Sequence, residues 1–196
     1  MSHISISQKR QNGRMAALML MGLISIAIIG SALAADEGSY QPAQTLGSGQ
    51  SDWWTAYPSQ NAKAGSSVEH PSWILDALKE KPVLILVHSS NCKPCLVQIA
   101  NMEAIMADSG EDVTYYDILA EGSNIQKAME LLNIYGPTGG EQQYVPTTIF
   151  LTLIKGSDGK VGVAWHSVED AMSKNQVGAY VKDAIYYHRL NQGDWS

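Results

Sequence analysis

The chain has 196 residues, 45% of them hydrophobic and 16% charged, which suffices for one domain with its own core and argues against disorder throughout or a repeat array. Thirteen Lys and Arg stand against 19 Asp and Glu, and the first 34 residues hold three of the basic side chains and no acid. The remainder therefore carries a net charge of −9, a surface that repels phosphate backbones and excludes nucleic acid as the expected partner.

Lys9, Arg10 and Arg14 precede an apolar run over residues 15–29, and Ala32 and Ala34 then offer the small side chains that a signal peptidase inspects. Residues 1–34 are read as a signal peptide cut before Ala35, or as an uncleaved membrane anchor, since residues 15–35 are long enough to cross about 30 Å of hydrocarbon. Both outcomes export the domain, leaving the basic flank in the cytoplasm. The expected location is secreted, periplasmic or at the cell surface, with membrane contact through the N-terminal segment if it is uncleaved.

Residues 35–67 are rich in Gly, Ser, Gln, Ala and Pro without a sustained period, and they are read as a flexible linker. Trp53, Trp54 and Tyr57 interrupt it, and such rings are expected to fold back onto the domain. The domain itself is assigned to residues 68–196.

A short helix is expected from Ser72 through Leu78, ending before Pro82. Residues 83–87 are continuously apolar, as in a strand buried on both faces. Cys92-Lys93-Pro94-Cys95 follows, and Leu96, Ile99, Met102 and Met106 recur at helical spacing, so the cysteines open an amphipathic helix. A strand over 113–119 and a helix over 124–133, with Ile125, Met129 and Leu132 inward, come next. A β-branched strand spans 147–154, Asp158-Gly159 marks a hairpin turn, and 161–165 completes the hairpin. Ser173 and Gln176 form a capping box for a last helix through Val177, Tyr180, Val181, Ala184 and Ile185. Strands separated by helices imply an α/β fold, a central mixed sheet of about four strands covered by helices on both faces.

Cys92 and Cys95 are the only cysteines. A structural disulfide three residues apart closes too small a loop to restrain the unfolded chain much. A zinc site lacks a second C-x-x-C or a close His pair, and haem attachment requires His where Leu96 stands. Thiol–disulfide chemistry remains, because a helix N-terminus favours a thiolate, Lys93 adds a positive charge, and Pro94 fits the first turn, where its missing N–H costs nothing. No metal or cofactor beyond a redox-active Cys92–Cys95 disulfide is expected.

The buried strand running into this C-x-x-C, the strand–helix unit after it, and Val145-Pro146-Thr147 leading into a hairpin and closing helix resemble the thioredoxin superfamily. The resemblance covers residues 72–190 and implies a thioredoxin-like fold in which Cys92 is the exposed nucleophile and Cys95 the buried resolving thiol. It implies that Pro146 is a cis-proline facing them and that the Val145 backbone pairs with an extended substrate. Three positions depart from the family pattern. Asn91 replaces the usual Trp at the lip of the substrate groove, Leu86 replaces a buried acid, and Ala100 replaces a helix-kinking Pro. Without the acid, His88 is the nearest titratable candidate for handling the Cys95 proton. Residues 135–144, rich in Gly and Pro, form a long connection that can wall the groove.

The resemblance implies an exported enzyme acting on protein or peptide disulfides with a membrane or soluble electron donor. Pro94 in the middle of the motif favours a reductase, with an oxidase or isomerase, or a non-catalytic peptide-binding module, as the alternatives.

Overall fold

In the computed structural model, which describes residues 40–140 and 142–195, four strands form one sheet in the order β2-β1-β3-β4. They are β1 (Val83–His88), β2 (Thr114–Leu119), β3 (Thr147–Lys155) and β4 (Val161–Glu169). β1 pairs parallel with β2 and antiparallel with β3, and β3 pairs antiparallel with β4, so the sheet is mixed, as expected. Alternation divides the β1 side chains between two cores. Val83, Ile85 and Val87 join Ile149, Leu151 and Leu153 beneath α1 (Ser72–Leu78) and α3 (Ile125–Tyr135). Leu84 and Leu86 join Phe150 and Ile154 beneath α2 (Lys93–Ser109) and α4 (Lys174–Asn191). Coverage on both faces is why β1 is an unbroken apolar run.

α4 begins at the expected capping box. The Ser173 hydroxyl accepts from the Gln176 N–H at 3.3 Å, and the Gln176 side chain accepts from the Ser173 N–H at 2.9 Å. The β3–β4 hairpin turns at Asp158-Gly159, and β4 continues to Glu169, four residues past the expected end.

Two helix faces differ from expectation. On α2 the inward set is Cys95, Gln98, Met102 and Ile105, while Leu96 is 62% exposed. On α3 the inward set is Ala128, Leu131, Leu132 and Tyr135, with Ile125 and Met129 exposed. A 3-10 turn over Gly122–Asn124 leads into this helix.

The largest correction concerns the segment read as a flexible linker. Its described part, residues 40–67, packs onto the domain, so the domain boundary at residue 68 is set too late. Trp53 and Trp54 are fully buried, Trp54 edge-on against Trp165 at 4.9 Å. Trp54 and Trp165 also exchange two backbone hydrogen bonds at 2.8 and 2.9 Å along the outer edge of β4. The buried Asp183 carboxylate of α4 accepts from the Tyr40 hydroxyl and the Ala43 and Gln44 N–H groups at 2.7–2.8 Å, and from the Trp53 indole at 3.4 Å. Asn61 donates to the Gly136 carbonyl at 2.9 Å and the Ala62 N–H to that of Thr138 at 3.0 Å, so the segment also braces the loop after α3. Residues 1–34, with the expected leader, lie outside the described residues. Among the described residues no helix is long and apolar enough to cross a membrane.

Candidate active site

The site forms where β1 ends and α2 begins. β1 delivers the chain upward through residues 89–91, and Cys92 takes extended backbone angles as the N-cap of α2. Lys93 and Pro94 occupy its first turn, both exposed. Cys92 is partly exposed, whereas Cys95, one turn further on, is fully buried. The two are joined as a disulfide with a Cα–Cα separation of 5.1 Å. The Cys95 N–H donates to the Cys92 sulfur at 3.2 Å, one of the unpaired amide groups of a helix N-terminus aimed at the atom that becomes an anion on reduction. In the reduced protein that N–H and the helix dipole both favour the Cys92 thiolate.

β3 supplies the opposing wall. The Val145–Pro146 peptide bond is cis, Pro146 is buried, and the Val145 carbonyl oxygen lies 3.5 Å from the Cys92 sulfur. The turn is held from both sides. Thr147 donates its hydroxyl to the Tyr144 carbonyl at 2.7 Å, and the Asp170 N–H donates to the Pro146 carbonyl at 2.8 Å. A mixed β2-β1-β3-β4 sheet covered on both faces, a C-x-x-C at the start of the helix after its central strand, and the backbone at the start of β3 against the first cysteine sulfur decide the fold.

The fold is thioredoxin-like.

Solved structures similar to this chain belong to the same group. A thiol:disulfide interchange protein of the thioredoxin family from Chlorobium tepidum is 20% identical, with 56% of this chain and 83% of that one covered and a TM-score of 0.41. Mitochondrial thioredoxin 3 from Saccharomyces cerevisiae is 15% identical over 57% and 87%, with a TM-score of 0.39. Chloroplastic thioredoxin z is 13% identical over 59% and 90%, with a TM-score of 0.38. The strand order and the placement of the cysteines at the start of α2 define the fold. No family model matches the chain, and no curated protein does.

The thioredoxin-like frame places the remaining site residues. Asn91 is exposed next to Cys92, and Val145 is partly exposed beside the exposed Tyr144. His88 ends β1 on the face covered by α2, its Nε2 2.7 Å from the Asp117 carboxylate of β2. Leu86 is fully buried. The loop between His88 and Cys92 is pinned by Glu121, whose carboxylate accepts from the Ser90 N–H at 2.6 Å and the Ser90 hydroxyl at 2.8 Å. Those two hydrogen bonds hold the Glu121 carboxyl below its usual range.

Sequence reasoning missed Asp117, Glu121 and Gln98. Gln98 is fully buried, donates to the Thr148 hydroxyl at 2.8 Å and accepts from the Met172 N–H at 2.7 Å. It thereby ties α2 to β3 two residues past Pro146 and to the connection two residues past Asp170. Its three-residue spacing from Cys95 was the available signal, because that spacing shares one helix face.

Proposed function

We propose that the protein is an extracytoplasmic thiol–disulfide oxidoreductase that reduces protein or peptide disulfides through the Cys92/Cys95 dithiol. The observation that carries this reading is the asymmetric cysteine pair. One sulfur is accessible at a helix N-terminus with an amide N–H directed at it, and its partner is buried within bonding reach. In the reduced form the Cys92 thiolate attacks a substrate disulfide, forms a mixed disulfide and expels one substrate thiolate. Cys95 then attacks the Cys92 sulfur, closing the Cys92–Cys95 disulfide and releasing the second substrate thiolate. Two electrons leave the dithiol, and a donor dithiol, membrane-bound or soluble, must restore it.

Val145 supports the substrate side of this reading. Its carbonyl is 3.5 Å from the reacting sulfur, so an extended chain pairing with the Val145 backbone would lay its own sulfur against Cys92. Asn91 would border that chain from the other side. The basic, apolar and Ala-x-Ala sequence of residues 1–34 supports export.

Insulin reduction in the presence of dithiothreitol tests the activity. The full chain is expected to precipitate insulin catalytically, and Cys92→Ser to abolish this; undiminished catalysis by that variant overturns the reading. The reduction potential tests direction. A value near about −270 mV agrees with a reductase, and one near about −120 mV turns the assignment to an oxidase. A protein that binds extended peptides but fails to reduce insulin would instead be a binding module.

A further inference from the structure

Beside the cysteines, the end of the sheet carries a pocket that thiol–disulfide exchange does not itself require. Tyr144 and Val145, Glu169 at the end of β4 and Asp170 just after it line a cavity of about 330 Å³. Glu169 is the register partner of Thr147, and the Asp170 N–H donates to the Pro146 carbonyl at 2.8 Å, so the end of β4 runs beside the turn that faces Cys92. Alternation from the buried Trp165 puts Glu169 on the sheet face covered by α1 and α3. Val145 joins the pocket to the reacting centre, since its carbonyl oxygen lies 3.5 Å from the Cys92 sulfur.

The charge lining this pocket has one sign. Glu169 is half-buried and Asp170 exposed, and among the described residues neither carboxylate is ion-paired. Asp170 accepts from the Ala171 N–H at 2.7 Å through Oδ1 alone. Burial raises the Glu169 carboxyl above its usual range, the mark of a carboxylate that has lost water without gaining a counter-ion. Tyr144, 46% exposed, adds an aromatic ring on which a cation or the methylene stem of a long side chain can pack. Two carboxylates, an aromatic ring and an adjoining backbone edge together fit a basic side chain carried in by an extended peptide.

We propose that this pocket is a specificity subsite that receives a lysine or arginine side chain one or two residues from the substrate's disulfide cysteine. The inference rests on the oxidoreductase reading and adds the substrate class to it, disulfides set in basic sequence. A segment pairing with the Val145 backbone advances about 3.3 Å per residue, so when its cysteine sulfur lies against Cys92 a neighbouring side chain comes over Glu169 and Asp170. A long basic side chain spans what distance is left, its stem along Tyr144 and its head group at the carboxylates. The pocket forms no bond to the substrate and leaves the exchange at sulfur as it is; it holds a basic segment in place for attack and repels an acidic one. The acidity of the whole chain attracts any basic peptide, whereas the pocket distinguishes where in the peptide the charge stands.

The test uses isomeric peptides of equal net charge, each with a single cysteine held as a disulfide with a small aromatic thiol and a single arginine. The arginine stands one or two residues to either side of the cysteine, or at an end of the peptide. Release of the aromatic thiol by the reduced full chain, followed by absorbance, gives the second-order rate constant. At least one near isomer is expected to react about tenfold faster than the end isomers. Glu169→Gln combined with Asp170→Asn keeps the shapes of both side chains and the Oδ1 acceptor, and it is expected to bring that ratio within about twofold. Glu80→Gln, which removes an exposed acid just after α1, is expected to leave the ratio at about tenfold. Equal rates for all isomers with the unaltered protein overturn the proposal without any variant, as does a tenfold ratio that survives the paired substitution. The underlying reading fails separately: if no isomer loses its aromatic thiol faster with the reduced chain than with Cys92→Ser, the oxidoreductase assignment falls, whatever the pocket does.

Discussion

The difference between Cys92 and Cys95 is one helical turn, and it assigns them separate chemistry. In the reduced protein, limiting iodoacetamide is expected to modify Cys92 well before the fully buried Cys95, read by peptide mass mapping; preferential labelling at Cys95 would reverse the roles. Lys93→Ala removes an exposed cation next to the nucleophile and is expected to raise the Cys92 thiol pKa, by less than about one unit because solvent screens the charge. Thiolate absorbance against pH checks the sign. Gln98→Leu keeps the volume of the side chain and strands the Met172 N–H and the Thr148 hydroxyl, and it is expected to cost about 1–3 kcal/mol in urea unfolding. Gln98 also marks where residue-level reading fails. Apolar periodicity selected Leu96 for the core over a polar neighbour, but a Gln that satisfies both ends of its amide can be buried, and a Leu beside a reactive centre can be left in solvent. The cysteines were legible because their chemistry depends on type and spacing, which the chain displays directly. Asp117 and Glu121 were not, because they reach the site across strands rather than along the chain.

The elements of the sheet and its covering helices were legible because burial on one or both faces imposes a period on the sequence. The segment over residues 40–67 was not, since hydrogen bonds between unlike partners hold it and such bonds leave no period. Asp183 is the clearest instance, one carboxylate 130 to 143 positions from the groups it accepts from. Asp183→Ala is expected to leave those donors unpaired, to destabilise the protein by on the order of 3 kcal/mol or more, and to open residues 40–56 to limited proteolysis. A cleavage pattern identical to that of the unmodified protein would mean that the tryptophans alone hold the segment. Trp54→Ala, which empties a fully buried site against Trp165, is expected to cost about 3–5 kcal/mol by thermal or chemical denaturation.

For the molecule as a whole, two desolvated histidines set an acid limit, His166 buried and His70 half-buried. Burial lowers His70, beside the Tyr135 hydroxyl, and His166, stacked on Tyr180, to about 4. In the unfolded chain both titrate near 6.5, so between those values the unfolded state binds more protons and stability rises with pH. The contribution is fully present above about pH 6.5 and is lost as pH falls toward 4, on the order of 3 kcal/mol for each ring at most. Thermal melts are expected to show Tm falling across that window, with a shallower slope for His166→Gln. The two hydrogen bonds between Trp54 and Trp165 carry one more consequence. β4 is an outermost strand of nine residues, and an uncovered strand of that length is a template on which another chain can lay itself. The early segment occupies the middle of that margin with its own backbone, so the protein closes to itself the place where copies would join; a chain cut back past Tyr57 should gather into concentration-dependent oligomers.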